Sequence, residues 1–231
     1  MDRIVDIEQL KKGRLTIGVP NYRGSILLPL VLPLFLQKYP GINIKIIEAD
    51  SAELEVITAK GRTNLTIMNL PIQSNRITYT PITTEKILLA IPPNHHLKSR
   101  ITDLPQKFSN LPTVQLSELK DEPFILLKSS HRLRQTSDAL FEYAGIKPII
   151  RLEINNLLTA HKLIASGMGV SFIGETAAKL SYFPQPPLYF SLDGPKTTWH
   201  LVAAYREDRY LSRAATEFIQ MLKEALNGEN K

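Results

Sequence analysis

The chain has 231 residues, 43% of them hydrophobic and 22% charged, with 28 Lys and Arg against 22 Asp and Glu for a formal net charge of +6. These proportions are those of ordinary globular chains and exclude disorder, collagen-like repeats and a small disulfide scaffold, while the length allows one large or two small lobes, since domains cluster at roughly 100–150 residues. Cysteine is absent, which excludes disulfides, thiol nucleophiles and zinc–thiolate sites together and suits a reducing cytoplasm, the expected location.

At the front, Met1-Asp2-Arg3-Ile4-Val5-Asp6 has no basic segment leading into an apolar one, so no secretory leader is visible. The densest basic runs, Lys11-Lys12-Gly13-Arg14 and His131-Arg132-Leu133-Arg134, are too short for a nucleic-acid-binding stripe. Arg14–Val19 is β-rich and predicts a strand. Ser25–Tyr39 is apolar around most of its circumference, is closed by Pro40-Gly41, and predicts a helix. Pro33 inside it removes an N–H and predicts a kink. Together with Pro29 it keeps Ile26–Leu36 short of the roughly 18 apolar residues that a membrane span needs, so no membrane partner is expected. Ile42–Glu48 alternates as a strand does, Ser51 is placed to cap a helix running through Leu54, Val56 and Ile57 to Gly61, and Leu65–Met68 is again a strand. Thr78–Pro92 is β-prone and too long for one lobe of this size; it reads as a strand crossing between lobes.

The same order returns further on. Phe124–Leu127 predicts a strand, Ser129 or Ser130 a cap, and Leu133, Leu140, Phe141 and Ala144 the apolar face of a helix that Gly145 stops. Ile149–Ile154 is a second strand, Asn155 or Asn156 caps a helix carrying Leu158, His161, Leu163 and Ile164 as far as Gly167, and Val170–Ile173 is a third strand. Leu188–Leu192 and Trp199–Tyr205 are β-prone on either side of Asp193-Gly194-Pro195. Tyr210–Leu226 spaces Leu211, Ala215, Phe218, Leu222 and Leu226 as an amphipathic helix does, and Gly228–Lys231 is expected to fray. Two βαβαβ series imply two similar α/β lobes, each a parallel sheet with helices on its faces. The expected lobes are 14–89 plus 197–231, discontinuous, and 90–196.

Open α/β sheets bind ligands beyond the carboxyl ends of their strands, where helix N-termini present N–H groups without partners. Here those turns are Pro20–Ser25, Asp50-Ser51, Lys128–His131 and Asn155-Asn156, and two facing lobes would bring them to one cleft. They are rich in hydroxyls and amides, and Lys128 adds a positive charge, so a small anion or carboxylate is the expected guest. The candidate ligand-binding residues are Asn21, Tyr22, Ser51, Lys128, Ser129, Ser130, His131 and Asn156. Each has a structural alternative: capping for the serines and Asn156, packing under the first helix for Tyr22, and plain solvent exposure for Lys128 and His131. Arg132 and Arg134 could pair an anion or face solvent. His161 lies on the apolar side of its helix and reads as a core histidine; His95-His96 has no Cys or Glu close by in sequence, so no metal site is expected. Paired carboxylates, a nucleophile elbow, a phosphate loop and an HExxH motif are all missing, so no catalytic residue, cofactor or enzymatic activity is expected.

One run of features carries a family resemblance. It comprises Lys12-Gly13-Arg14-Leu15-Thr16-Ile17-Gly18, Leu28-Pro29, Phe35, Tyr39-Pro40-Gly41, then Glu48, Ser51, Leu54 and Gly61. Glu85, Leu88, Pro92, His95 and Leu97 follow, and later Gly145, Pro148 and Gly167-Met168-Gly169-Val170. In this order they resemble the effector-binding (regulatory) domain of LysR-type transcriptional regulators, from about Lys12 to Leu222. The resemblance implies an α/β fold of two Rossmann-like lobes, periplasmic-binding-protein-like (type 2), joined by two crossover strands. It implies a small-molecule effector in the interlobe cleft whose binding shifts lobe closure and oligomer geometry to control transcription. It further implies an antiparallel homodimer, the first helix of one subunit against the second lobe of its partner, and leaves a tetramer open to the full-length protein. The family reads DNA with an N-terminal winged helix-turn-helix. Nothing in Met1–Gly13 resembles one, so the chain is expected to be an isolated, truncated sensor domain that reaches DNA only through that missing part.

Departures from the family pattern are Asn64 in place of an aspartate, Gly174 in place of a proline, and Tyr22 where relatives often hold effector with serine or threonine. The phenol would narrow the cleft or select a different ligand. The alternative reading is a solute-binding protein of a transport system with the same fold, which would need export.

Overall fold

The computed structural model describes residues 13–102, 108–195 and 197–228. The readings made at Met1–Lys12 (no leader, no helix-turn-helix, a basic run) and the fraying of 229–231 lie outside the described residues. The chain divides into two compact units, Met1–Thr84 with His200–Lys231 and Glu85–Trp199.

In chain order, β1 (Gly13–Pro20) leads into α1 (Asn21–Lys38), β2 (Ile42–Ala49) into α2 (Ser51–Ala59), and β3 (Leu65–Asn69) into β4 (Ile77–Ile91). Next come a 3-10 turn at His96–Arg100, another at Phe108–Asn110, β5 (Thr113–Val114) and a third turn at Leu116–Leu119. They are followed by β6 (Pro123–Leu127), α3 (Arg132–Ala144), β7 (Ile149–Ile154), α4 (Leu157–Ala165), β8 (Ser171–Gly174), α5 (Glu175–Leu180) and β9 (Leu188–Leu192). β10 (Thr198–Arg206) and α6 (Arg213–Gly228) complete the chain.

In the first unit β1 pairs in parallel with β2 and β3, and β10 adds antiparallel to β3. Leu15, Ile17 and Val19 of β1 are fully buried under α1, which contributes Leu27, Leu28, Val31 and Phe35, and α6, which contributes Ala215, Phe218 and Leu222. The α1 positions recur at helical spacing on one face, which is why an apolar segment with two prolines still forms a helix. Both Pro29 and Pro33 lie on its exposed side. There the carbonyls of Ser25 and Pro29, which lose their N–H donors, face water rather than core. The helix also starts earlier than its pattern predicts, at Asn21 rather than Ser25. Gly24, which reads in sequence as a loop residue, is buried within the first turns. A Cβ there would stand 3.0 Å from both Glu48 Oε1 and Val19 Cγ1, so glycine allows helix and strands to close up.

In the second unit β6 and β7 form a parallel pair, and Val170, just before β8, bridges in parallel to Phe124 of β6. β4 pairs antiparallel with β8 and β9, and β5 adds parallel to β9. The core centres on three rings: Phe124 and Phe141 lie 4.9 Å apart edge to face, and Phe172 is 5.5 Å from Phe141. Gly145 stops α3 in the left-handed conformation at φ 65°, as its sequence position predicts. The sequence pattern had no place for α5, which starts directly after β8 and is too short to show a period. Glu85 supports it: its Oε2 accepts from Thr176 N at 3.0 Å.

Gly169 is required by both conformation and space. Its φ is 152°, and a Cβ would lie 2.3 Å from the backbone oxygen of Pro123. Gly169→Ala is expected to lower stability by about 1–3 kcal/mol through forced displacement of β6. Urea denaturation measures it, and an unchanged midpoint would contradict the packing described.

Candidate functional site

Parallel pairing places strand ends of the same polarity at one edge of each sheet. In the first unit Pro20 stands opposite Ala49, and β3, in register with β1 at Gly18 and Thr66, ends at Asn69 on the same edge. In the second unit Leu127 stands opposite Ile154, and Lys128 N donates to Ile154 O at 3.0 Å. The expected residues therefore gather in two sets. Asn21, Tyr22 and Ser51 lie at the first unit's edge; Lys128, Ser129, Ser130, His131 and Asn156 lie at the second unit's.

Their local roles differ from the sequence reading in three places. Asn21 and Tyr22 are in the first turn of α1, not in a loop before it. The cap of α2 is Asp50, whose Oδ1 accepts from Glu53 N at 2.9 Å, and Ser51 is the first helical residue. Asp50 takes the part because its carboxylate reaches the third N–H of the helix and carries the charge that the positive helix end favours. Neither Ser129 nor Ser130 caps α3. A tight turn, closed by His131 N donating to Lys128 O at 3.0 Å, puts both serines in its middle and His131 in the capping position. Asn156 caps α4 as read, its Oδ1 accepting from Leu158 N at 2.8 Å and Thr159 N at 3.3 Å.

These details divide the helix starts into two kinds. α2 is capped by Asp50 with Glu53 in its first turn, and α4 is capped by Asn156. α1 and α3 have neither a side-chain capping bond nor an acidic residue in the first turn. Each of these helix starts carries a partial positive charge of about half an elementary charge, turned toward the strand-end edge. Exposed Lys128 adds a full charge beside α3. Arg134 is committed elsewhere, to Leu127 O at 2.8 Å, Asp138 at 2.8 Å and Glu153 at 2.6 Å, so it is a structural cation rather than a ligand contact. In the first unit the Glu48 carboxylate against Gly24 is a hydrogen-bond acceptor close to the start of α1.

Asn69 escaped the sequence reading. It closes β3, on the face that Leu65 and Ile67 share with α1, and its Oδ1 is buried without a hydrogen-bond partner among the described residues. An amide ending an apolar strand is the only sign of it in the sequence. His161, by contrast, is the core residue expected: fully buried, its Nε2 lies 2.8 Å from Tyr189 Oη, and burial lowers its pKa to about 4.

Two α/β units, each with helix starts gathered at the carboxyl edge of parallel strands, define a ligand-binding domain of the periplasmic-binding-protein-like class. The chain belongs to the LysR-type transcriptional regulators, as their effector-binding domain: residues 8–227 match the family model described as LysR substrate binding domain. An uncharacterized HTH-type transcriptional regulator of Bacillus subtilis (strain 168), YcgK, is 30% identical over 238 residues, covering 97% of this chain and 72% of that protein. Among solved structures, the Synechocystis PCC6803 CcmR regulatory domain in complex with 2-PG matches with a TM-score of 0.79 at 20% identity, over 92% of this chain and 96% of that one. The BenM effector binding domain with its effector benzoate matches with a TM-score of 0.75 at 21% identity, over 95% of each. These likenesses establish the type 2 fold, and the relatives are regulators, which favours the regulator reading over a transport protein.

Proposed function

We propose that this chain senses a small anion, a carboxylate foremost, through the N-terminal ends of α1 and α3 and the residues around them: Asn21, Tyr22, Lys128, Ser129, Ser130 and His131. The observation that carries the proposal is the contrast at the strand-end edges between α2 and α4, whose capping residues bond the helix start through a side chain, and α1 and α3, whose capping residues Pro20 and His131 do not. Ser51 contributes its hydroxyl beside the Asp50 cap, and Asn156 is the weakest contact, since its oxygen already serves two N–H groups. That BenM holds benzoate, a carboxylate, agrees with this chemistry.

The proposed contacts are hydroxyls, amides, one ammonium, the His131 imidazole and backbone N–H groups; with no carboxylate in the proposed set beside that imidazole, the set suits holding a ligand, and no catalysis is assigned. Effector binding acts by favouring one conformation over another, which in the regulator alters oligomer geometry and transcription. Homodimerisation is assigned to α1, whose Leu34 is 57% and Leu36 40% exposed. DNA contact falls to a helix-turn-helix part such as the one named in the Bacillus relative. No helix among the described residues is long and apolar enough to cross a membrane, and the cytoplasm is the location this reading implies.

Melting the protein against small carboxylates, phosphate esters and neutral sugars tests the reading. A ligand at about 100 times its dissociation constant stabilises by roughly 2.7 kcal/mol, a rise of a few degrees. Anions should produce that rise, and Tyr22→Ala and Ser130→Ala should reduce it. A rise with sugars alone would overturn the anion assignment.

A further inference from the structure

We propose that His95, His96 and Glu122 form a binding site for a divalent transition-metal ion of the zinc class, on the second unit and separate from the strand-end edges. The sequence hides this site because Glu122 lies far from the histidine pair along the chain, just ahead of β6. Among the described residues these three donors form a cluster in which one ligand atom from each lies within 4.8 Å of the others. Glu122 Oε1 is 3.1 Å from His95 Nε2 and 3.7 Å from His96 Nδ1. Zinc–nitrogen bonds of about 2.0–2.1 Å in a tetrahedral site put neighbouring donors roughly 3.3 Å apart, so the spacing already brackets that of a chelate.

His95 supplies the second observation. Its side chain is only 8% exposed, and its buried Nε2 faces the Glu122 carboxylate at ion-pair distance, 3.1 Å, without a well-aligned hydrogen bond. An imidazole nitrogen and a carboxylate oxygen held this close and largely out of water are two donors that one cation can share in place of their mutual pairing. The groups are held before any ion arrives. His95 is in the capping position of the 3-10 turn His96–Arg100, and Glu122 N donates to Leu119 O at 3.0 Å. The site has one evident cost. Coordination by Nε2 moves the ring proton to Nδ1 and gives up the long 3.3 Å bond that Nδ1 accepts from Leu97 N. His96 is 67% exposed, so water can complete the coordination and the ion can exchange. Imidazole and carboxylate donors in this number suit zinc, nickel or copper better than magnesium or calcium.

The experiment is titration of chelator-treated protein with Zn²⁺ followed by heat, and with Co²⁺ followed by visible absorption. The expected result is one ion per chain, with tetrahedral cobalt bands. Affinity should fall roughly tenfold or more in His96→Ala and in Glu122→Gln. His96→Ala removes an exposed side chain and is expected to keep the metal-free melting profile, so a loss of binding there is a loss of a ligand. His131→Ala, which alters another histidine of the unit, should bind as the wild type does. Binding that is missing in the wild type, that survives His96→Ala and Glu122→Gln unchanged, or that is lost in His131→Ala would overturn the proposal.

Discussion

Phe218→Ala should destabilise the first unit by about 3–5 kcal/mol, the range for a buried aromatic truncated in a packed core. Phe218 is fully buried on α6, and its ring stands 5.5 Å from that of Phe35 on α1, edge to face at 71°; Phe35 in turn lies 5.1 Å from the ring of Tyr39, tilted at 54°. Removing the ring takes away apolar contact and leaves a void that α1 and α6, fixed on the same strand β1, cannot close freely. A loss of this size is a large part of the roughly 5–15 kcal/mol that holds a domain together. It also bears on the proposed site, because the start of α1 carries Asn21 and Tyr22. Urea denaturation should show a much lower midpoint for Phe218→Ala and a shift within about 0.5 kcal/mol for Tyr210→Ala, whose side chain lies in solvent. Equal effects of the two would contradict the assignment of Phe218 to the core.

His161 should make the second unit sensitive to acid. Burial lowers its pKa from 6.5 to about 4, so the unfolded chain takes up the proton more readily than the folded one. Its contribution is therefore fully present above the unfolded value, near pH 6.5, and is lost as pH falls toward 4. The difference between the two values corresponds to about 3 kcal/mol of stability lost across that window. Carboxylates titrate in the lower part of the same range, so the decisive measurement is comparative. His161→Gln keeps an amide near Tyr189 Oη but cannot titrate. The variant should be less stable than the wild type at neutral pH, and the gap between them should narrow as pH falls. Parallel stability curves would show that His161 does not carry the effect.

The alternating and helical patterns made the strands and longer helices legible because burial repeats along the chain: Leu15, Ile17 and Val19 on β1, or Ala215, Phe218 and Leu222 on α6. Gly145 and Asn156 were legible for the same kind of reason, since their chemistry serves a local backbone geometry. What depends on distant neighbours was not. Asp50 and Ser51 are adjacent and both competent caps, and only the strand's exit decides which of them meets Glu53 N. Gly24 reads as a breaker until Glu48 and Val19 are seen against it. The buried oxygen of Asn69 and the approach of Glu122 to His95 belong to the tertiary structure alone. The candidate edges were foreseeable from the order of strands and helices; which helix starts are bare was not.

Asp50 has a consequence for how such a sensor can change over time. Its carboxylate sits on the start of α2 as a tethered stand-in for a diffusing anion, occupying that position permanently. The starts of α1 and α3 differ from it by the identity of a single side chain at the capping position, Pro20 in one and His131 in the other. On the proposed reading, the mutational distance between a helix end open to a diffusing anion and one already occupied is therefore one codon. On the proposed reading, an acidic cap at either position would silence that helix end, and the loss of Asp50 would open the end of α2 by an equally short step.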